Sequence, residues 1–256
     1  MRLHAVIVGV DEYADAGIPS LRFAVQDARD FAALLCESAY ADGVDTYLLT
    51  NAEATRRRVL HLVGTELARA AESDDALLFY FAGHGSPEVA GGVPTASRFL
   101  VCHDTERDGL FSTGIDVTVD LVRVARRSAA RLVIFLLDAC FSGYSGGRGI
   151  IGAELERYRE DHRPGVRLAD LDLGRGVAYL SAATDSEVAF EHPDLGHGVF
   201  SYYLLDELAM AGNPMIGLAT LYDKVHDKVR SYTKNRQHPV LWGNVTGAAL
   251  PRLGGK

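Results

Sequence analysis

Three apolar runs constrain this chain more than anything else in it: AVIVGV (Ala5 to Val10), ALLFYFA (Ala76 to Ala82) and LVIFLL (Leu132 to Leu137). None approaches the roughly 18 apolar residues of a membrane span, and all have the length of a strand. A strand apolar on both faces has to be covered on both faces, which is the situation of parallel sheets in α/β proteins. The segments between the runs supply the cover. In LRFAVQDARDFAALLCES (Leu21 to Ser38), Phe23, Asp27, Phe31, Leu34 and Leu35 fall at helical spacing. Thr55 to Ala71 places Leu60, Val63, Leu67 and Ala70 on one face, and Val117 to Ser128 reads as a third helix. Shorter strands are expected at Asp45 to Leu49 and Val177 to Ala182, with a side-hairpin strand at Arg98 to Cys102. GHGVFSYYLLDELAMAG and GLATLYDKVHDKVRSY then read as two helices, and HPVLWGNV as an extended end. The alternation predicts a three-layer α/β domain: a mainly parallel central sheet with helices on both faces.

With 256 residues, 48% of them hydrophobic, the chain can bury one substantial core, or at most two small ones. Its net charge of −8 repels phosphate backbones, so no nucleic-acid partner is expected. The basic clusters Arg56-Arg57-Arg58 and Arg123 to Arg131 lie on helical segments and read as solvated faces. The opening apolar run stops at Asp11 and Glu12, too short for a secretory segment. Three widely spaced cysteines make no disulfide framework. Together these predict a cytoplasmic protein with reduced thiols and no membrane partner.

Chemistry gathers where two of the apolar runs end. His84 follows the second run and Cys140 follows the third. In a parallel sheet the C-terminal strand ends share one edge, and crevices open there. Gly83, Gly85 and Gly143 let the backbone turn tightly and approach a substrate. An imidazole beside a thiol can take its proton and later protonate a leaving amine. The amides of Gly85 and Cys140 could hold the oxyanion of a tetrahedral intermediate.

A lone cysteine beside a strand is usually packing, and Cys36, next to Leu34 and Leu35 in a helix, fits that reading. Cys102 and His103 are sequence neighbours in a strand and point to opposite faces. His4, His61, His162 and His226 carry no matching signal. No C-x-x-C spacing suggests zinc, and GYSGGRG lacks both the strand–turn–helix context and the lysine of a phosphate loop. No metal and no cofactor are expected.

FYFAGHGS and LLDACFSG, with the histidine 56 positions before the cysteine, resemble the two catalytic segments of caspase-like cysteine peptidases. The likeness extends to AVIVGVDEYADAGIPSLRFAVQDARDFAALL, to AYLSAATDSEVAFE and to GHGVFSYYLLDEL. The D-A-C triplet is most similar to bacterial caspase homologues and metacaspases. The resemblance implies a caspase-like fold over residues 1–256. Residues 1–140 would be the large-subunit-like part, 141–175 a linker or activation loop, and 176–256 the small-subunit-like part. It implies a cysteine endopeptidase made as a zymogen, with His84 as general base and acid, Cys140 as nucleophile, and the Gly85 and Cys140 amides as oxyanion hole. Asp138 and Asp27 match acids lining the primary specificity pocket, so cleavage is expected after basic residues, arginine ahead of lysine. Ala82 stands where metacaspases often carry serine. No acid lies between Cys140 and Glu154, and Asp104 to Gly109 lacks the dense oxygen set calcium prefers, so calcium dependence is not carried over.

Phe141 to Arg175 is a long irregular stretch, with a short helix expected around Glu154 to Arg159. It carries Arg148, Arg157, Arg159, Arg163, Arg167 and Arg175 and is expected to control access to the crevice. Expected partners are protein substrates and an upstream activating protease or regulator. A role in bacterial regulated proteolysis, stress or antiviral defence rests on resemblance alone. Two other readings stay open: a catalytically silent interaction module on this fold, and a hydrolase of the same clan with another specificity.

Overall fold

Along each central strand the side chains divide by parity into two sets, and that division decides the layering. The computed structural model describes residues 2–37, 43–90, 93–142, 148–149, 176–210, 215–243 and 249–251. The elements, in chain order, begin with β1 (Leu3–Gly9), α1 (Ala24–Glu37) and β2 (Val44–Thr50). Helix α2 (Arg56–His61) runs through a π-helical turn, Leu62–Glu66, into α3 (Leu67–Ala70). Next come β3 (Ala76–Ala82), β4 (Gly85–Ala90), β5 (Val93–Leu100), α4 (Leu110–Thr113) and β6 (Ile115–Asp116). A second π-helical turn, Val117–Leu121, leads into α5 (Val122–Arg127), which is followed by β7 (Leu132–Asp138) and β8 (Val177–Ser181). The chain continues with β9 (Glu191–His192), β10 (His197–Gly198), α6 (Val199–Ala209), β11 (Met215–Gly217), α7 (Leu218–Tyr232), β12 (Val240–Gly243) and β13 (Ala249–Pro251).

The central sheet has the order β12-β8-β7-β3-β1-β2. It is parallel except at β12, where the extended end pairs antiparallel with β8, Leu241 opposite Leu180. Leu3, Ala5 and Ile7 of β1, Leu78 and Tyr80 of β3, and Ile134 and Leu136 of β7 share one core with Phe31 and Leu35 of α1, Phe200 and Leu204 of α6, and Leu221 and Val225 of α7. The intervening residues, Val6, Val8, Phe79, Phe81, Phe135 and Leu137, pack on the other face with Val59, Val63, Leu67, Leu121 and Val124. This is the three-layer arrangement expected. The side hairpin is larger than the predicted Arg98–Cys102: β4, β5 and β6 form a separate three-stranded sheet.

Cys36 departs from its reading as a packing residue. The buried face of α1 runs through Ala24, Ala28, Phe31 and Leu35, and Cys36, one step past Leu35, turns outward and is exposed. Cys102 is buried, and burial pushes its thiol pKa up. The helix expected around Glu154 to Arg159 lies outside the described residues, as do Arg157, Arg159, Arg163, Arg167 and Arg175. Among the described residues no helix is long and apolar enough to cross a membrane.

Candidate active site

Register brings the two candidate catalytic residues together. Strands β3 and β7 are parallel neighbours with Ala82 paired to Asp138, so His84 and Cys140 each stand two residues past one matched pair. The Gly83 amide donates to the Asp138 carbonyl at 3.2 Å, closing the edge between the strand ends. Parity sets the faces. Ile134, Leu136, Asp138 and Cys140 alternate toward the layer of α1 and α6, while Leu137, Ala139 and Phe141 turn the other way.

His84 is held from two sides. Its backbone amide donates to the Tyr13 hydroxyl at 3.0 Å, and the Tyr13 hydroxyl donates to the Val10 carbonyl. Ring atom Nε2 lies 2.8 Å from the Pro19 carbonyl, an acceptor only, so Nε2 carries the proton and Nδ1 keeps its lone pair. Nδ1 is buried without a hydrogen-bond partner among the described residues. Burial lowers the His84 pKa to about 4, with the nearby Arg148 charge adding to that; the contacts to Pro19 and Arg148 oppose it. The imidazole is therefore neutral at physiological pH, the form a general base requires. The Cys140 thiol is turned toward Ser142 Oγ at 2.9 Å and donates to the Glu187 carbonyl at 3.0 Å.

The crevice is filled by the chain itself. The Arg148 carbonyl oxygen accepts from the Gly85 amide at 2.9 Å and from the Cys140 amide at 3.0 Å. These are the two amides expected to form an oxyanion hole. The Arg148 amide donates to the Ala189 carbonyl at 2.9 Å. Gly85 has to lack a side chain here, because a Cβ would lie 2.6 Å from the Cys140 carbonyl oxygen and 2.9 Å from the Phe141 ring.

The Arg148 side chain, fully buried, enters an acidic pocket. Nη1 is 2.8 Å from Asp138 Oδ2 and 3.3 Å from the Asp138 carbonyl. Nη2 pairs with Asp27 Oδ2 and lies 3.2 Å from Glu191 Oε1. The expected pair, Asp27 and Asp138, thus line one pocket, and neither is exposed. Ser201 Oγ donates to Asp138 Oδ2 at 2.5 Å, and His197 Nδ1 sits 2.6 Å from Asp27 Oδ1. The Gly198 amide donates to Asp27 Oδ2 at 3.1 Å. Burial pushes Asp138 up to about 6, with the Arg148 guanidinium pulling against it and Asp27 adding to it. For Arg148, burial disfavours the charge, but its carboxylate neighbours overcome this and hold its pKa well above the ordinary value. The hydrogen bond to Asp27 raises His197.

Five contributors lie in the segments that carry the family likeness but were not singled out as site residues: the Pro19 carbonyl, Glu191, His197, Gly198 and Ser201. Each acts through its position in space, and no spacing from Cys140 or His84 marks them.

Comparisons with known proteins agree with this fold. The Geobacter sulfurreducens protein GSU0716 has a similar structure, with a TM-score of 0.67 at 17% identity over 95% of this chain and 94% of that one. Caspase-1 from Spodoptera frugiperda gives a TM-score of 0.60 at 16% identity over 95% of this chain and 88% of that one. At such identities the likeness speaks for the fold alone. No curated protein sequence matches. A family model described as the caspase domain of peptidase family C14 matches residues 2–249. With nearly the whole sequence matched and His84 and Cys140 at adjacent strand ends, the chain belongs to the caspase-domain family, peptidase C14.

Proposed function

We propose that this protein is a cysteine endopeptidase with a Cys140–His84 dyad, that it cuts proteins after basic residues with arginine ahead of lysine, and that its own Arg148 holds it as a zymogen. One observation carries the reading. Arg148 offers its carbonyl oxygen to both candidate oxyanion amides while its guanidinium lies between Asp27 and Asp138. A substrate residue just before a cut would make the same two contacts, which supports reading Arg148–Gly149 as a bond this enzyme cuts.

The chemistry follows from the groups present. His84 Nδ1 takes the thiol proton after Cys140 Sγ rotates away from Ser142 and the Glu187 carbonyl. The sulfur bonds to the carbonyl carbon, and the two amides stabilise the oxyanion by about 3–4 kcal/mol each. His84 returns the proton to the leaving nitrogen as the C–N bond breaks. Water then hydrolyses the thioester, giving a carboxylate and restoring the thiol. Applied to Arg148–Gly149, this is an intramolecular cut in the loop after the nucleophile. An upstream protease or regulator could act on the same loop. The expected setting is the cytoplasm, with protein substrates.

The filled pocket and the averted thiol also suit a catalytically silent interaction module. Intact-mass measurement and N-terminal sequencing of purified native protein, Cys140→Ala and His84→Ala distinguish the two. The peptidase reading expects a new N-terminus at Gly149 in the native protein only, and selective labelling of Cys140 by an electrophilic arginyl peptide. Equal cutting in Cys140→Ala would sink the catalytic assignment, and absence of both cutting and labelling in the native protein would favour the interaction module.

A further inference from the structure

We propose that His238 and Glu187 are positioning residues for the nucleophile: their clasp fixes the carbonyl that holds the Cys140 thiol away from His84. The inference rests on reading Cys140 and His84 as the dyad. Cys140 Sγ donates to the Glu187 carbonyl at 3.0 Å. A carbonyl only accepts, so the thiol proton lies there, and the Ser142 hydroxyl, 2.9 Å from the sulfur, donates to it. His84 Nδ1 meanwhile has no hydrogen-bond partner among the described residues. The thiol is engaged by a main-chain acceptor, and its exchange onto His84 depends on how firmly that acceptor is held.

The Glu187 side chain does the holding. Oε2 accepts the His238 amide at 2.9 Å, and Oε1 lies 2.6 Å from His238 Nδ1. A carboxylate is an acceptor only, so Nδ1 carries its proton and the grip has two prongs. His238 is delivered by the turn after α7, in which two successive non-glycine residues, Lys234 and Asn235, take φ of 53° and 59°. L-residues adopt that conformation at a cost, and it persists only where the surroundings hold it. Pro239 then restricts His238 to extended backbone. Both side chains of the clasp are partly exposed, although the carbonyl they fix faces a buried thiol.

Anchoring of the loop between β8 and β9 is the rival explanation. Gln237, fully buried, grips that loop at both ends: its Nε2 donates to the Ala182 carbonyl at 2.9 Å, and its Oε1 accepts the Phe190 amide at 3.1 Å. Neither contact involves Glu187. Gln237 is therefore the control for loop anchoring without the clasp.

Raman spectroscopy reads the S–H stretch directly, and difference spectra against Cys140→Ala isolate the Cys140 band from those of Cys36 and Cys102. His238→Ala should move that band toward the frequency of a weaker hydrogen bond. Glu187→Ala, which keeps the carbonyl and removes only its restraint, should do the same. His238→Asn, whose side-chain amide nitrogen can stand where Nδ1 stands, should keep the band near its native position. Gln237→Met should lower the melting temperature and leave the band in place. With an arginine peptide, both alanine variants should raise kcat about threefold to tenfold, equivalent to about 0.65–1.4 kcal/mol and the range of one neutral hydrogen bond, with KM changed less than about twofold. If circular dichroism shows His238→Ala unfolded, Glu187→Ala carries the test. An unmoved band in the alanine variants, a band moved as far by Gln237→Met, or an unraised kcat in an active enzyme overturns the inference. A band that moves as expected in a protein that cuts no peptide upholds the clasp and overturns the peptidase reading.

Discussion

Gly198 shows how one missing side chain makes room for a buried guanidinium. Its φ of −62° suits any residue, so space, not backbone conformation, demands glycine there. A Cβ would come within 2.7 Å of Asp138 Oδ2 as well as against the guanidinium. Overpacking of this kind costs about 1–3 kcal/mol. Gly198→Ala should cut kcat/KM for arginine peptides about tenfold or more and spare peptides with a small neutral residue before the cut. Equal turnover of arginine peptides by the variant would mean that the wall is not at Gly198. His84 offers a second reading at this scale. Its folded pKa of about 4 lies below the ordinary 6.5, mainly because of burial. As pH falls through 6.5 the unfolded chain binds that proton first, so His84 withdraws roughly 3 kcal/mol of stability between about pH 6.5 and 4. The His84 ring proton in NMR should titrate near pH 4 in uncut protein and move toward 6.5 once the crevice is open to water. A midpoint near 6.5 in the uncut form would contradict the closed state.

At the scale of elements, the short return from Cys140 to Arg148 ties the nucleophile to the occupant of its own pocket. On the proposed reading, a tether of so few residues would keep the arginine at high effective concentration, and substrates would compete at a disadvantage until it leaves. Arg148→Ala should have opposite effects on stability and access. Removing the cation leaves Asp27 and Asp138 buried without their shared partner, and breaking a buried pair costs about 3–5 kcal/mol. The melting temperature should therefore fall. The emptied crevice should at the same time let Cys140 react faster with a small alkylating reagent and admit basic peptides without prior cutting. An alkylation rate equal to that of uncut native protein would remove Arg148 from any blocking role.

Across the whole molecule, the sheet order predicts what a cut would leave. The proposed bond lies between β7 and β8 in sequence, yet β8 pairs with β7 along Val133 to Leu137 and carries β12 on its far edge. Helix α6, also beyond the cut, packs with α1 in the same core. The pieces 1–148 and 149–256 should stay assembled as one species in size-exclusion chromatography and separate only in denaturant. Separation under native conditions would show that the loop, and not the sheet, holds the halves together.

The sequence by itself determined the layers and set His84 and Cys140 directly beyond two of the strands. AVIVGV, ALLFYFA and LVIFLL are strands because short runs apolar on both faces can only be buried between two layers, and that pattern is local. His84 and Cys140 were legible because each stands directly beyond such a run. The parity of Asp138 and Cys140 could likewise be read, since it follows from the pleat. Where the helices dock was not legible, and that decided the pocket. Asp27 meets Asp138 only because α1 and β7 bury the same face, and Glu191, His197 and Ser201 arrive from segments more than 40 residues beyond Cys140. Cys36 was misread because helical spacing alone does not say where a buried stripe ends. The seating of Arg148 was beyond the sequence altogether. Many arginines follow Cys140, and only three carboxylates from α1, β7 and β9, converging on one buried point, select this one. Local pattern settles which residues are buried; which charges meet is settled by long-range packing, because a buried guanidinium is stable only where its partners have already been brought together.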